Sequence, residues 1–115
     1  MARVRTVKPQ RGDVYWVALD PVVGTEIKKT RPAIVVSNDA MNDEAQRVVV
    51  VPVTSSVEHC FPGEALVMVM GKPARALGDQ IRSIDKARLR RRADRLSVAE
   101  LGRLDEALRI TLALR

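Results

Sequence analysis

Two residues of this chain stand where a loop meets a strand-forming run and carry side chains suited to an anion: Arg31 and Thr54. Arg31 precedes Pro32, whose ring biases the residue before it to extended backbone, and the apolar run 33–37 follows. A guanidinium there is a permanent cation whose planar fork of donors matches a phosphate bidentately. Thr54 closes the valine-rich run 47–53 and is followed by Ser55 and Ser56. Its hydroxyl both donates and accepts. A fixed cation beside such a group is what stabilising charge on a phosphoryl oxygen requires. The plainer alternatives are a strand-end arginine paired to an acid and a turn hydroxyl, and the two residues alone leave both open.

Other reactive types are sparse. His59 draws attention as a general base, since histidine is the residue type whose unperturbed imidazole changes charge near physiological pH. It falls in the loop 57–63, marked by Pro62-Gly63, with no evident partner, and a loop contact is its simpler role. Cys60 is the one cysteine, so no internal disulfide forms, and with one histidine there is no zinc-ligand spacing. No metal or other cofactor is expected. The 20 Lys and Arg against 14 Asp and Glu give a net charge of +6, which makes polyanions such as nucleic acid plausible partners. The basic run from Lys86 through Arg88, Arg90, Arg91 and Arg92 to Arg95 fits an RNA-tracking patch, but also an ordinary solvated face.

The elements that must hold these residues follow from periodicity. The chain of 115 residues is read as a basic, flexible arm over 1–10 and one domain over 11–115. Val14, Trp16 and Ala18 alternate with Tyr15, Val17 and Leu19, a strand covered on both faces, with Trp16 in the core. Further strands are expected at 33–37, 47–53, 65–70, 75–84 and 90–94, with a loop or single helical turn at 38–43 and a turn at Gly71-Lys72-Pro73. Short strands at close spacing favour a small, strongly bent antiparallel sheet or partial barrel, mainly β with one helix. That helix begins at the capping-box pair Ser97 and Glu100 and carries Leu101, Leu104, Leu108 and Leu112 on one stripe, which is expected to cover the sheet. With no run of about 18 apolar residues and no signal-peptide h-region, no membrane association is expected and the cytoplasm is the expected location.

The runs RGDVYWVALDPVVGTE, RPAIVVSND, VPVTS, GDQIRSIDKARL and LSVAELGRLDEALRITLAL, in this order and spacing, resemble the MazF/PemK family of toxin endoribonucleases over residues 11–114. The resemblance implies a curved antiparallel barrel with helices, a homodimer, metal-independent cleavage of single-stranded RNA at short sequences, and an antitoxin with an acidic, flexible tail. It matches Arg31 to the arginine of the family's Arg-Pro motif and Thr54 to the threonine after its third strand, which makes these two the catalytic candidates. Gly24-Thr25-Glu26 is similar to the family's Gly-Ser-Glu, and Gln80, after Asp79, to a substrate-contacting glutamine. The substrate-binding candidates are Arg11, Thr25, Glu26, Lys28, Ser55, Asp79 and Gln80.

Two departures matter. Lys28-Lys29 replaces the family's common Gly-Gly, which stiffens the loop and adds charge. Leu77 stands where some relatives carry an arginine that works with the following acid, which favours Arg31 with Thr54; Arg75, two residues earlier, is not taken as its substitute. Competing functions are a topoisomerase-poisoning toxin on the same fold and a catalytically silent RNA-binding module. The C-terminal Leu112-Ala113-Leu114-Arg115 lacks the Trp-Gly that the poisons share.

Overall fold

The β-branched run expected to form a central strand does so. It is β3 (Arg47–Thr54), and the sheet is assembled on its two edges. The computed structural model describes residues 8–19 and 30–115. Before β3 come β1 (Asp13–Val17), β2 (Arg31–Val35) and the short helix α1 (Asp39–Glu44); after it come β4 (Glu64–Val69), β5 (Lys72–Leu77), β6 (Arg82–Asp85), β7 (Leu89–Arg95) and the helix α2 (Val98–Leu112). The strands form an antiparallel, curled half-barrel in the order β4-β5-β3-β2-β1-β7, with β6 also paired to β3. Packed chain begins ahead of Arg11, since Pro9 is fully buried and the Gln10 N–H donates to Asp13 Oδ2 at 2.8 Å.

Register sorts the side chains into two cores. Val14, Ile34 and Val51 lie in line across β1, β2 and β3 and join a cluster with Leu104, Ala107 and Leu108 of α2. Tyr15, Val17, Ala33, Val35, Val48, Val50 and Ile84 turn to the other face and pack with Leu89. Burial on both faces explains why β1 and β3 read as nearly continuous apolar runs. The helix covers the sheet as expected, through Leu104, Ala107 and Leu108, while Leu112 stays 47% exposed. Trp16 departs from expectation, being only half-buried.

Proline placement accounts for the two places where the strand pattern differs from expectation. Val49 faces β2 with its main chain, accepting from Val36 N–H and donating to Ser37 Oγ. The alternation of an antiparallel ladder therefore turns Pro52 toward the opposite edge, where it has no N–H to offer. On that edge the expected strand 75–84 splits into β5 and β6, joined by a 3₁₀ turn at Gly78–Gln80. Asp79 and Gln80 thus sit on a turn and not in a strand. The expected turn at Gly71-Lys72-Pro73 is instead a two-residue hairpin, Met70-Gly71, with φ of 51° and 78°, and Lys72 and Pro73 belong to β5. Pro73 is tolerated because the β3–β5 ladder ends at Thr54 opposite Arg75, so its missing donor faces no strand.

Helix α2 is tied to β4 by its own cap. Ser97 and Glu100 form the expected capping box, and the second Glu100 oxygen accepts from Met68 N–H at 2.5 Å. Burial pushes the Glu100 carboxyl pKa up, but hydrogen bonds from Ser97 and Met68, with the charge of Arg103, outweigh it and leave the pKa lowered. A folded-state pKa below the unfolded one stabilises the fold above the unfolded value, and that stabilisation is lost as pH falls through the folded value. Glu100→Gln is therefore expected to lower stability at pH 7 and to flatten the loss of stability on acidification. Denaturant midpoints measured from pH 7 to pH 3 check this, and an acid limb as steep as the parent's contradicts it.

Candidate active site at the ends of two neighbouring strands

Arg31 opens β2 and lies opposite Val17 of β1. The β2–β3 ladder pairs Ala33 with Pro52; continuing that register two residues brings Arg31 level with Thr54, the last residue of β3. Directly facing residues of an antiparallel pair have Cβ atoms about 4.5–5.5 Å apart, close enough for both side chains to reach one phosphate. Arg31 is exposed and, among the described residues, no hydrogen bond or ion pair holds its guanidinium. Thr54 is half-buried, and its Oγ1 accepts from Ser56 N–H at 3.2 Å, which leaves the hydroxyl proton free to be donated outward. Ser55, the next residue, is exposed.

On the far side of Thr54 stands a residue that sequence reasoning passed over. Arg75 is the register partner of Thr54. Its Nη1 donates to the His59 carbonyl, and its Nε lies 3.4 Å from Glu64 Oε1 without hydrogen-bond geometry. The row Arg31, Thr54, Arg75 thus sets a hydroxyl between two permanent cations on one face of the sheet. The signal for Arg75 is strand register, which local sequence does not contain.

The other candidates scatter. Arg11 is committed elsewhere: its Nη2 lies 2.5 Å from Asp105 Oδ1 on α2, and its Nε donates to the Val36 carbonyl at 2.9 Å. Asp79 and Gln80 are exposed on the 3₁₀ turn, at the β3 edge away from β2, and neither hydrogen-bonds to Arg31 or Thr54. Thr25, Glu26 and Lys28, with Gly24 and Lys29, lie outside the described residues. His59 and Cys60 are exposed; the His59 ring sits 6.3 Å from that of Phe61, and Cys60 is a free thiol.

Fold and site together define a class: a curled antiparallel half-barrel closed by a C-terminal helix, with a cationic, hydroxyl-bearing row at its strand ends. Residues 10–112 match the family described as PemK-like, MazF-like toxin of type II toxin-antitoxin system, and the chain belongs to that family. It is 42% identical over 114 residues to a protein named endoribonuclease MazF9 from Mycobacterium tuberculosis, covering 91% of this chain and 97% of that one. To endoribonuclease EndoA from Bacillus subtilis it is 34% identical over 110 residues, covering 91% and 95%. Among solved structures, a MazE–MazF crystal structure from Deinococcus radiodurans superposes with a TM-score of 0.82 at 26% identity, covering 96% of this chain and 100% of that one. A mycobacterial endoribonuclease in complex with its cognate antitoxin gives a TM-score of 0.77 at 25% identity, covering 93% and 97%.

The Arg11–Asp105 pair is a structural tie, and it is partly exposed on both sides at 31% and 30%. Solvent screening at that exposure holds its worth to about 1 kcal/mol. Arg11→Ala and Asp105→Ala are each expected to lower the unfolding midpoint, with a double-mutant coupling of about 0.5–1 kcal/mol. Additive losses in the double variant contradict the tie.

Proposed function

We propose that this toxin-family endoribonuclease cleaves single-stranded RNA without a metal, at a site built on Arg31 and Thr54, and arrests growth by doing so. The observation that carries the reading is the β2–β3 register, which, continued from the Ala33–Pro52 pair, sets Arg31 level with Thr54; the Arg31 guanidinium has no partner among the described residues and the Thr54 hydroxyl proton is free to be donated. In the proposed step the ribose 2′-oxygen, available only in RNA, bonds to the adjacent phosphorus while the bond from phosphorus to the 5′-oxygen breaks. The 2′-oxygen gives up its proton, the departing 5′-oxygen takes one, and the products are a cyclic phosphate and a 5′-hydroxyl end. Arg31 cannot act as the base, because its guanidinium does not deprotonate in proteins. It holds the charge developing on the phosphoryl oxygens, and Thr54 donates to one of them. Ser55, Asp79 and Gln80, with Thr25, Glu26 and Lys28, supply further substrate contacts in this reading.

Arg31→Ala is expected to lower the cleavage rate by about 100-fold or more, the scale of losing one preorganised donor, and Thr54→Ala to lower it as well. A long single-stranded RNA incubated with each protein in EDTA is the measurement. Absence of cleavage by the parent protein, or cleavage indifferent to Arg31→Ala, overturns the proposal.

The same reading includes a cytoplasmic homodimer and a cognate antitoxin whose acidic tail occupies the RNA site. The relatives solved with an antitoxin and the net charge of +6 support the antitoxin partner. Light scattering is expected to give a mass near twice 12.7 kDa, rising when the acidic antitoxin is added. A mass of one chain contradicts the dimer, and no rise contradicts the partner.

A further inference from the structure

The pairing of β1 with β7 contains an irregularity at the position where Trp16 leaves the core. Tyr15 pairs with Arg92 and Val17 with Leu89, so the single residue Trp16 faces two, Arg90 and Arg91. That two-against-one count is a β-bulge, a device that bends a strand and re-aims side chains and that recurs beside active sites. Its product is an open groove of about 550 Å³ lined by Trp16, Thr30, Arg90 and Arg91. Thr30 immediately precedes Arg31, so the groove adjoins the proposed phosphate site at the start of β2.

The arginines of β7 and its approach are not equivalent. Arg88 donates to the Ala18 carbonyl, and Arg92 and Arg95 lie 3.7 and 2.7 Å from the buried Asp13 carboxylate. Arg90 uses one nitrogen on the Ala87 carbonyl, and Arg91 has no hydrogen-bond or ion-pair partner among the described residues. Both bulge arginines are exposed and neither faces an acid among the described residues. The bulge therefore gathers two cations around the one tryptophan of the chain, Arg91 without a partner among the described residues and Arg90 with one nitrogen on the Ala87 carbonyl and the rest of its fork free of partners among them.

We infer that Trp16, Arg90 and Arg91 form a stacking subsite for an unpaired nucleobase of the RNA, with the two guanidiniums on the phosphates flanking it. This rests on the RNA-cleaving reading above and adds to it a base-binding position away from the Arg31–Thr54 row. Aromatic faces stack any base, and cations beside them track the backbone, which is the general chemistry of single-strand binding. The carboxylates of an acidic peptide would use the two cations and leave the indole face unmatched, whereas every nucleotide brings a phosphate for the cations and a planar base for the indole. Trp16 and Arg31 have opposite parity on their paired strands, so the subsite and the phosphate site flank the strand end from either face and meet at Thr30.

Because Trp16 is the only tryptophan, its emission reports this subsite alone. Titration with a single-stranded RNA oligonucleotide carrying 2′-O-methyl groups, which cannot be cleaved by 2′-hydroxyl attack, is expected to quench it saturably. End-labelled RNA anisotropy run in parallel measures binding independently. Trp16→Ala is expected to weaken binding about tenfold or more, the scale of losing one stacked base, and Trp16→Phe to recover part of it. Arg90→Gln and Arg91→Gln, on exposed positions that leave packing intact, are each expected to reduce the slope of log affinity against log salt by about 0.7. RNA binding by anisotropy with unchanged tryptophan emission and unchanged salt slopes overturns the subsite and leaves the nuclease reading standing. Neither RNA binding nor cleavage by the parent protein overturns both. Quenching by an acidic peptide and not by RNA also overturns the subsite, in favour of a protein partner.

Discussion

The register that aligns β1, β2 and β3 is the constraint on which both the core and the site depend. A one-residue slip in an antiparallel sheet turns every side chain of the slipped strand to the opposite face. Here such a slip would pull Val14, Ile34 or Val51 away from α2 and would carry Arg31 or Thr54 out of the shared row. Burying one Val or Ile side chain fully is worth about 1.5–3 kcal/mol, and several per strand are wholly buried. An exposed ion pair is worth about 0–1 kcal/mol. The candidate row is therefore positioned by buried valines, and the guanidinium of its Arg31 has no partner among the described residues.

Much of this scaffold is legible in the residues. The valine run of β3, the alternation of β1, the capping box at Ser97 and Glu100, and the leucine stripe of α2 each state locally what the fold does with them. What escapes local reading are consequences of one strand for another. Residues 75–84 look like a single strand because nothing strong within them forbids it; the break comes from Pro52, across the sheet, whose missing donor faces that edge. Pro73 reads as a turn residue because a proline inside a strand is costly, yet the end of β3 removes that cost.

The same distinction runs through the site. Arg31 and Thr54 are visible as reactive types at strand ends, whereas their alignment, and the place of Arg75 beside Thr54, exist only once the strands are paired. Arg11 looks available until its partner, Asp105, arrives from 94 positions along the chain. Trp16 has the parity of a core residue, and alternation alone cannot register the bulge in β7 that leaves it half-exposed.

Net charge says little about where an anion binds; how each guanidinium is already occupied says more. In the described residues Arg11 is held by Asp105, Arg47 by Ser83, Arg88 by the Ala18 carbonyl, and Arg92 and Arg95 by Asp13. An arginine bound in this way has exchanged water for protein oxygens and has less to gain from a phosphate. Arg31 and Arg91 have no such partner among the described residues, and they stand on either side of the short stretch where Thr30 meets β2. Hydrated, unpaired cations at that rim can exchange their water for phosphate oxygens without breaking an existing bond. In the proposed reading these two cations, with the hydroxyl of Thr54 beside them, are the groups at the strand ends that meet the RNA phosphates.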